Sequence, residues 1–208
     1  MTRRYESGGS AVGDSNHGNP WVPILLRSAT AAAFGTLTVF WQSPGVGVLS
    51  VAGGLYLLLT GFAVSRMAVL AGAEGKPRIR GLQRLEAAVY LAAGLAVLAL
   101  RSVEAFLIAG GLALVLGGAV ELYLWNTSRK TFLPARDWLI TGGVSLGTAV
   151  ILVGVQLLDL GAHAMLGVTG GSAIIIAVML ATSGLGARWD ARSQSGQSRP
   201  SSAAQQKP

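Results

Sequence analysis

Residues 45–64 form an apolar run without a charged side chain, and the run is long enough to cross a lipid bilayer as a helix. An α-helix rises about 1.5 Å per residue, so roughly 20 residues span a hydrocarbon core of about 30 Å. A similar run, residues 22–40, precedes it and contains one charge, Arg27. The tetrapeptide Trp41-Gln42-Ser43-Pro44 separates the two runs with an interfacial aromatic, two polar residues and a helix-breaking proline. The two runs therefore predict a transmembrane helical hairpin.

Two further pairs of apolar runs follow along the chain and repeat the pattern of the first pair. The second pair covers residues 85–100 and 103–125, and the third covers residues 138–158 and 164–185. We predict an all-α fold, a polytopic membrane protein whose six transmembrane helices form three repeated helical hairpins. The predicted hairpins cover residues 22–65, 85–125 and 138–185.

Glycine spacing supports the interpretation of these hairpins as a repeat. Gly61 follows Gly54 by seven residues, and Gly118 follows Gly111 by seven residues in the second hairpin. Recurrence of the same feature within successive units of similar length is typical of an internal repeat. Three diverged copies of one hairpin are the simplest interpretation.

The composition excludes an ordinary soluble domain. The chain has 208 residues, of which 51% are hydrophobic and only 12% are charged. A soluble protein that hid six such helices would need far more polar surface to cover them. The segments 1–20 and 187–208 are instead rich in small polar residues, which favours disorder. We predict a six-helix transmembrane domain over residues 21–186, between two disordered cytoplasmic tails.

Basic residues lie almost entirely on one side of the predicted membrane. All of the 16 Lys and Arg residues except Arg101 fall in or near the segments that share a side with the termini. Loops rich in Lys and Arg stay in the cytoplasm, so we expect cytoplasmic termini and a large cytoplasmic loop over residues 66–84. Topology thus accounts for the net charge of +7 without a nucleic-acid partner. The partner that we expect is the lipid bilayer.

Residue types that carry chemistry are scarce. The chain has no cysteine, which excludes thiolate metal sites, disulfides and cysteine nucleophiles. Its two histidines, His17 and His163, are too far apart for a histidine metal cluster. The serines of the apolar runs have no histidine on the same side of the membrane as a catalytic partner. We therefore expect no enzymatic activity, no cofactor and no metal site.

Arg27 lies inside the first predicted span, because only about thirteen residues separate it from Trp41 and these are too few to cross the membrane. Glu86 near the start of the third span and Glu121 near the end of the fourth lie at a similar depth on the same side. A buried arginine with a carboxylate partner avoids the cost of an isolated charge. We predict that Arg27 pairs with Glu121 or Glu86. The alternative is that its guanidinium extends to the lipid head groups.

The outer turns, at the end opposite the termini, contain few titratable residues. They are Arg101, Glu104, Asp159 and His163. A histidine normally changes its charge between about pH 5 and 8, and carboxylates do so near pH 4. Glu104, Asp159 and His163 are therefore candidates for proton uptake from outside. The alternative is ordinary solvation of an interfacial turn.

Pairs of small residues four positions apart occur in three spans. They are Ala31 and Gly35, Gly143 and Gly147, and Gly167 and Gly171. This spacing places small residues on one helix face, where a neighbouring backbone can approach closely. We expect these faces to pack within one bundle. The alternative is a homo-oligomer that forms through the small-residue faces.

The first hairpin carries a distinctive succession of residues, which recurs in looser form in the other hairpins. The succession is Arg27, Gly35, Trp41, Pro44, Gly53 and Gly61. With this succession and its hydropathy, the chain resembles the HdeD-like acid-resistance membrane proteins, small bacterial six-helix proteins built of short hairpin repeats. The resemblance covers residues 22–186. It implies a location in the inner membrane and a part in surviving acid stress, and it implies no catalytic or binding residues.

Transport of a small solute between the hairpins is the alternative to a stress-related or structural role. Ion-coupled transporters usually keep ionisable groups or broken helices near the bilayer centre. The central positions of this chain hold neutral polar groups: Thr38, Ser50, Tyr56, Tyr90, Ser145, Thr148, Thr169 and Ser172. A transporter or channel that uses such groups stays open as an alternative.

Overall fold

The computed structural model describes residues 21–41, 44–129 and 135–197. Within these ranges the helices follow one another as α1 (Trp21–Phe40), α2 (Val46–Ala73), α3 (Pro77–Leu100), α4 (Val103–Ala105), a π-helical turn (Phe106–Gly110), α5 (Gly111–Ser128), α6 (Ala135–Leu157) and α7 (Gly161–Gln197). The short α4, the π-helical turn and α5 are continuous and form the fourth span, Val103–Ser128. The predicted tail over residues 1–20 lies outside the described part of the chain.

Within the described ranges, six helices are long and apolar enough to cross a membrane, which confirms the predicted all-α fold class. Large apolar side chains on the outside of the bundle belong to these helices, and Val150 and Leu95 are among the most exposed. A soluble surface would not keep so many of them in contact with water, whereas lipid tails accept them without cost. The outward apolar side chains are therefore typical of a protein embedded in lipid.

The connection between the second and third spans is shorter than predicted. The prediction of a long loop over residues 66–84 is wrong, because α2 continues to Ala73 and α3 begins at Pro77. The turn between them contains Gly75, whose φ of 70° lies in the left-handed region. Glycine adopts this conformation without steric cost, and proline suits the first position of a helix. Gly75 and Pro77 thus end one helix and begin the next.

The last helix is longer than predicted. The tail was expected to begin at residue 187, whereas α7 extends from Gly161 to Gln197. Residues 187–193 contain neither glycine nor proline and can therefore continue the helix. The Arg188 guanidinium lies over the Trp21 ring, 5.3 Å from its centre, and this cation–π contact holds the extension against α1. The remaining tail, residues 198–208, lies outside the described residues.

The most extensive helix packing occurs between the predicted hairpins and not within them. α2 packs mainly on α3, α5 mainly on α6, and α1 mainly on α7. The contacts between the two helices of each hairpin, such as α1 with α2 and α6 with α7, are less extensive. The six spans therefore close into a ring in which the first and last spans are neighbours.

Each of the three extensive interfaces contains a close pair of glycines. A Cβ added to Gly94 would lie only 2.8 Å from the carbonyl oxygen of Gly54, a distance that a real Cβ essentially never reaches. The absence of side chains lets the two backbones approach and gain dispersion contacts. The three pairs are Gly54 with Gly94, Gly118 with Gly142, and Gly35 with Gly170.

The small-residue faces predicted from four-residue spacing lie only partly inside the bundle. Ala31 and Gly35 are buried, as expected. Four other glycines are exposed, and an added Cβ on any of them would meet no atom within 4 Å: Gly143, Gly147, Gly167 and Gly171. The prediction that these four pack within the bundle is wrong, because Gly142 and Gly170 occupy the contact faces one residue earlier in their helices.

Candidate functional site: a buried charge cluster

Arg27 of α1 forms an ion pair with Glu121 of α5, in which Nη1 donates to Oε1. The Glu121 side chain is fully buried, and that of Arg27 keeps 13% of its exposure. An isolated charge at this depth would be costly, and a charged partner removes much of that cost. The structure thus brings together two of the three residues considered for an intramembrane ion pair and holds the guanidinium inside the bundle.

Glu86 of α3, the third of those residues, lies beside the pair. It is only 2% exposed, and its carboxyl group is within hydrogen-bonding reach of Glu121. Within the described part of the chain, Glu86 Oε1, Glu121 Oε2 and Gln83 Oε1 have no hydrogen-bond donor. A buried acceptor without a donor costs about 1–3 kcal/mol, and a charged one costs more. Two carboxyl groups thus face one guanidinium, and their hydrogen-bonding capacity is only partly used.

A small cavity of about 30 Å³ adjoins these groups. Its lining includes Arg27, Gln83, Glu86, Glu121 and Thr141. About 10–15 Å³ is enough for one water molecule when polar partners are present. The cavity can therefore hold one or two water molecules and is too small for an organic solute.

The cavity lies where the three predicted hairpins meet. Arg27, Glu86 and Thr141 come from the first helix of each hairpin, and all three line the cavity. The next residue in each case contacts a neighbouring helix. These next residues are Ser28, Ala87 and Gly142. Ser28 Oγ donates a hydrogen bond to Ala177 O at 2.8 Å. Ala87 O would lie 3.0 Å from a Cβ added to Gly61, and a Cβ added to Gly142 would lie 2.9 Å from Gly118 O. The three lining residues thus occupy corresponding positions and differ only in chemistry.

The second helices of the hairpins show the same correspondence. The contact residues on the second helices are Gly61, Gly118 and Ala177. Three positions after each of them, the same helix contributes a residue to the cavity lining. The lining residues are Val64, Glu121 and Leu180. Because the other two are apolar, Glu121 introduces a carboxylate at a position where the corresponding helices carry none.

Asp137, near the start of α6, lies between the cavity and a surface cleft. It lines both the cavity and a cleft of about 250 Å³, whose other walls include Arg136 and Asp190. Ser183 Oγ of α7 donates to Asp137 Oδ1 at 2.5 Å. The cleft lies at the end of the bundle where α6 begins and α7 ends. A half-buried carboxylate therefore lies between the charge cluster and the bundle surface.

An apolar groove of about 270 Å³ lies on the other side of Glu86, between α3 and α5. Its walls include Leu85, Val89 and Leu116, and Leu85 is 57% exposed. Glu86 lines both this groove and the internal cavity. Since exposed apolar side chains on a membrane span face lipid, Glu86 separates the internal cavity from a lipid-facing groove.

The three residues proposed for proton uptake at the outer turns are all exposed. Asp159 has a φ of 50°, a left-handed conformation that Asp tolerates better than most residues. Glu104 lies in the first turn of α4, where a carboxylate is favourable, next to Ser102, whose hydroxyl accepts from Ala105 N at 3.0 Å. In the described ranges no ion pair joins Glu104, Asp159 and His163 to one another. Two of the three thus have local structural roles.

Two residues of the site were not recognised in the sequence, Gln83 and Asp137. Gln83 precedes Glu86 by three residues, so the two share a helix face, and this spacing was a usable signal. Asp137 lies just before residue 138, where the fifth span is predicted to start, so the predicted hairpin does not include it. The helix begins at Ala135, which brings Asp137 into the bundle.

Six apolar helices around a buried charge cluster indicate a polytopic helical membrane protein. No known protein-family model, no curated protein and no solved structure matches the chain. The function is therefore inferred from the cluster.

Proposed function

We propose that the chain is a multi-pass protein of the bacterial inner membrane, of HdeD-like type, that helps the cell to survive acid stress and has no enzymatic activity. The observation that carries this proposal is the buried cluster, in which Glu86 and Glu121 face a single guanidinium, Arg27. Protonation of a buried, paired carboxylate changes the stability of the structure around it. The cluster therefore has the chemistry of an acid-responsive element.

Protonation of Glu121 would remove the negative charge that holds Arg27. α1 packs mainly on α7 and α2, and α5 packs mainly on α6 and α3, so α1 and α5 are not main packing partners. The ion pair therefore links two helices that otherwise have little contact. Loss of one partner of a buried pair typically costs about 3–5 kcal/mol, because the other charge stays buried and unpaired. Acid would thus loosen the bundle at the end where the cluster lies.

Basic residues packed on aromatic rings mark the same end of the bundle. Such pairs favour the membrane interface, where an aromatic ring and a cation are both partly hydrated. The guanidinium-to-ring distances are 5.4 Å for Arg78 and Tyr123, 5.4 Å for Arg129 and Trp125, and 5.3 Å for Arg188 and Trp21. Together with the positive-inside rule, these pairs support a cytoplasmic position, so the cluster would respond to internal pH.

The corresponding lining positions support a further part of the proposal, that the three hairpins are diverged copies of one unit. Each hairpin places at least one residue of its first helix and at least one of its second helix against the cavity. A homo-oligomer stays a prediction. The exposed Gly143 and Gly147 would offer such an oligomer a face that a second copy can approach closely. A Gly143→Leu/Gly147→Leu variant that keeps the wild-type mass in detergent by light scattering would contradict an oligomer at that face.

Small-solute transport has less support. Five of the eight central hydroxyl groups named above donate hydrogen bonds to backbone carbonyls of their own helices. These bonds are Thr38 to Gly35 at 2.7 Å, Ser50 to Val46 at 2.8 Å, Thr148 to Val144 at 2.7 Å, Thr169 to Met165 at 2.8 Å and Ser172 to Val168 at 2.9 Å. Groups that are already satisfied in this way gain less from a passing solute.

The acid-stress proposal is tested in a deletion strain of the native host. Survival and internal pH are measured after an acid shift and at neutral pH. The strain carries the wild-type chain, Glu86→Gln, Glu121→Gln or the triple variant Glu104→Gln/Asp159→Asn/His163→Gln. We expect the wild type and the triple variant to restore survival and both cluster variants to fail at equal membrane abundance.

Two results would contradict the proposal in different ways. If the deletion strain survives acid as well as its parent, the acid-stress role is wrong. If the triple variant fails while Glu86→Gln and Glu121→Gln restore survival, acid is sensed at the outer turns and the buried cluster is structural.

A further inference from the structure

We propose that Glu86 and Glu121 form a carboxyl pair that holds one proton at neutral pH, and that Glu86 can be reached from the lipid side of the bundle. This is a proton-binding site at the centre of the proposed acid-responsive element. Its biological role rests on the proposed function, whereas the site itself can be tested on the isolated protein.

The first argument is the charge balance of the cavity. Glu86 is 2% exposed and Glu121 is 0% exposed, so neither carboxylate keeps its hydration. Two like charges about 4 Å apart repel by about 4 kcal/mol even at an effective dielectric constant of 20. Arg27 pairs with Glu121 and compensates one of the two charges. A proton on the pair compensates the other without a further ion.

The second argument is the pattern of unsatisfied oxygens. Glu86 Oε1 and Glu121 Oε2 are buried acceptors without a donor among the described residues. Their carboxyl groups lie within hydrogen-bonding reach of each other. A proton on one carboxyl group makes it a donor to the other, so a single proton relieves both groups at once. A protonated pair of this kind is the usual outcome when two carboxylates share a buried site.

The third argument concerns the other charged and titratable groups around the pair. Arg27 faces it from α1, Tyr56 from α2, Tyr90 from α3 and Asp137 from α6, while α7 contributes the apolar Leu180. Tyrosine hydroxyls are neutral below about pH 10, and Asp137 adds negative charge. Of the described residues that line the cavity, Arg27 alone is a cation. The surroundings therefore favour uptake of a proton.

A metal ion is a weaker alternative to the proton. No group of three or more His, Cys, Asp or Glu residues is placed to hold a metal within the described ranges. The cavity of about 30 Å³ has room for one or two water molecules beside the pair. A proton exchanged with such water needs no larger coordination shell.

The fourth argument is access. Glu86 lines both the internal cavity and the apolar groove between α3 and α5. The groove walls, including Leu85 and Leu116, are exposed on the outside of the bundle. An apolar reagent dissolved in the bilayer can enter such a groove, whereas a charged reagent in water cannot. Glu86 lines the groove and Glu121 does not, so an apolar reagent in the groove lies nearer to Glu86, whose carboxyl group is otherwise buried.

Dicyclohexylcarbodiimide tests both parts of the proposal. The reagent is apolar and reacts with protonated carboxyl groups. The carboxyl oxygen bonds to the central carbon of the carbodiimide, the carboxyl proton moves to one of its nitrogens, and an acyl shift gives a stable N-acylurea. No group leaves, so the protein gains the mass of one intact reagent molecule.

The purified full chain in liposomes is labelled at about pH 7 and across a series from about pH 6 to about pH 10. We expect one reagent molecule per chain, located on Glu86 by peptide mapping. The labelling rate should fall about tenfold per pH unit above the range where the pair ionises. Glu86→Gln should lose the label, and Glu104→Gln should keep it. A water-soluble cationic carbodiimide should instead modify Glu104.

Several outcomes would overturn the proposal. Absence of label at about pH 7, label on exposed carboxylates only, or label on Glu121 in place of Glu86 would each contradict it. A rate that is independent of pH, or that falls when sodium replaces a large organic cation at constant ionic strength, would also contradict it. Peptide mapping of the wild type decides the matter even if Glu86→Gln does not fold. The purified protein could label as expected while deletion of its gene causes no acid sensitivity. That combination would support the proton-binding site and contradict only the proposed function.

Discussion

Arg27 and Glu121 are separated by 94 positions in the sequence and meet in a buried ion pair between the first span and the fourth. Helices inside a membrane gain little from hydrophobic association, because lipid tails are as apolar as leucine. A charge pair that is satisfied in one arrangement only can therefore fix which helices meet and at what depth. The ion pair therefore determines the arrangement of the helices in the bundle more than it adds to the stability of the bundle.

A double-mutant cycle tests the coupling of the pair. We expect Arg27→Met and Glu121→Leu each to lower the free energy of unfolding by about 3–5 kcal/mol, because each leaves an unpaired buried charge. The double variant should lose much less than the sum of the two, since neither Arg27 nor Glu121 remains as a charge without its ion-pair partner and Glu86 can stay protonated. The free energy is measured by reversible unfolding in mixed detergent micelles.

The exposed pair of Lys76 and Glu74, at 2.7 Å, is the matched control for that cycle. Solvent screening limits such pairs to about 0–1 kcal/mol, so Glu74→Gln should change stability little. Independent and additive effects of the Arg27 and Glu121 variants would show that the two side chains are not energetically coupled.

The adjacent glycines Gly142 and Gly143 test the packing of α5 on α6. A Cβ on Gly142 would lie 2.9 Å from Gly118 O, whereas one on Gly143 would meet no atom within 4 Å. We expect Gly142→Ala to lower stability by about 1–3 kcal/mol through overpacking. Gly143→Ala should be neutral or stabilise by up to about 1 kcal/mol, because alanine favours the helix. Equal melting temperatures of the two variants in detergent would contradict the close approach.

The hydroxyls of Thr148 and Ser172 lie 2.6 Å apart and join α6 to α7. Hydrogen bonds between transmembrane helices contribute about 0.6 kcal/mol on average and up to about 1.7. We expect a coupling energy in that range from a cycle of Thr148→Val and Ser172→Ala, measured by unfolding in detergent. Thr182→Val, at an exposed hydroxyl that bonds within its own helix, should have little effect. A coupling energy of zero would mean that the two hydroxyls do not interact.

The proposed orientation can be tested with single cysteines, because the chain has no native cysteine. Ala73 lies at the turn between α2 and α3, and Leu158 lies in the turn between α6 and α7 at the opposite end of the bundle. Both positions are exposed. In intact cells a membrane-impermeant maleimide should label Leu158→Cys and should label Ala73→Cys only after permeabilisation. The reverse pattern would place the termini outside.

The sequence by itself determined the six spans and the common depth of Arg27, Glu86 and Glu121. Span length and charge position along the chain are one-dimensional quantities, and the bilayer imposes a fixed thickness on them. The turn at Gly75 and Pro77 was also readable, since both are ordinary helix stop and start signals. The basic residues around the turn favour a loop when the sequence is considered alone, and this is why a long loop was predicted where two helices meet in a short turn.

Only the tertiary structure decided which carboxylate meets Arg27 and which helices pack most closely. Glu86 and Glu121 have the same depth, so the choice depends on the rotation of each helix and on the order of helices around the ring. Rotation also explains why Gly142 is buried while Gly143 is exposed, since adjacent residues on a helix point about 100° apart. Three-dimensional packing sets these rotations, because close backbone contacts such as Gly54 with Gly94 allow only one register.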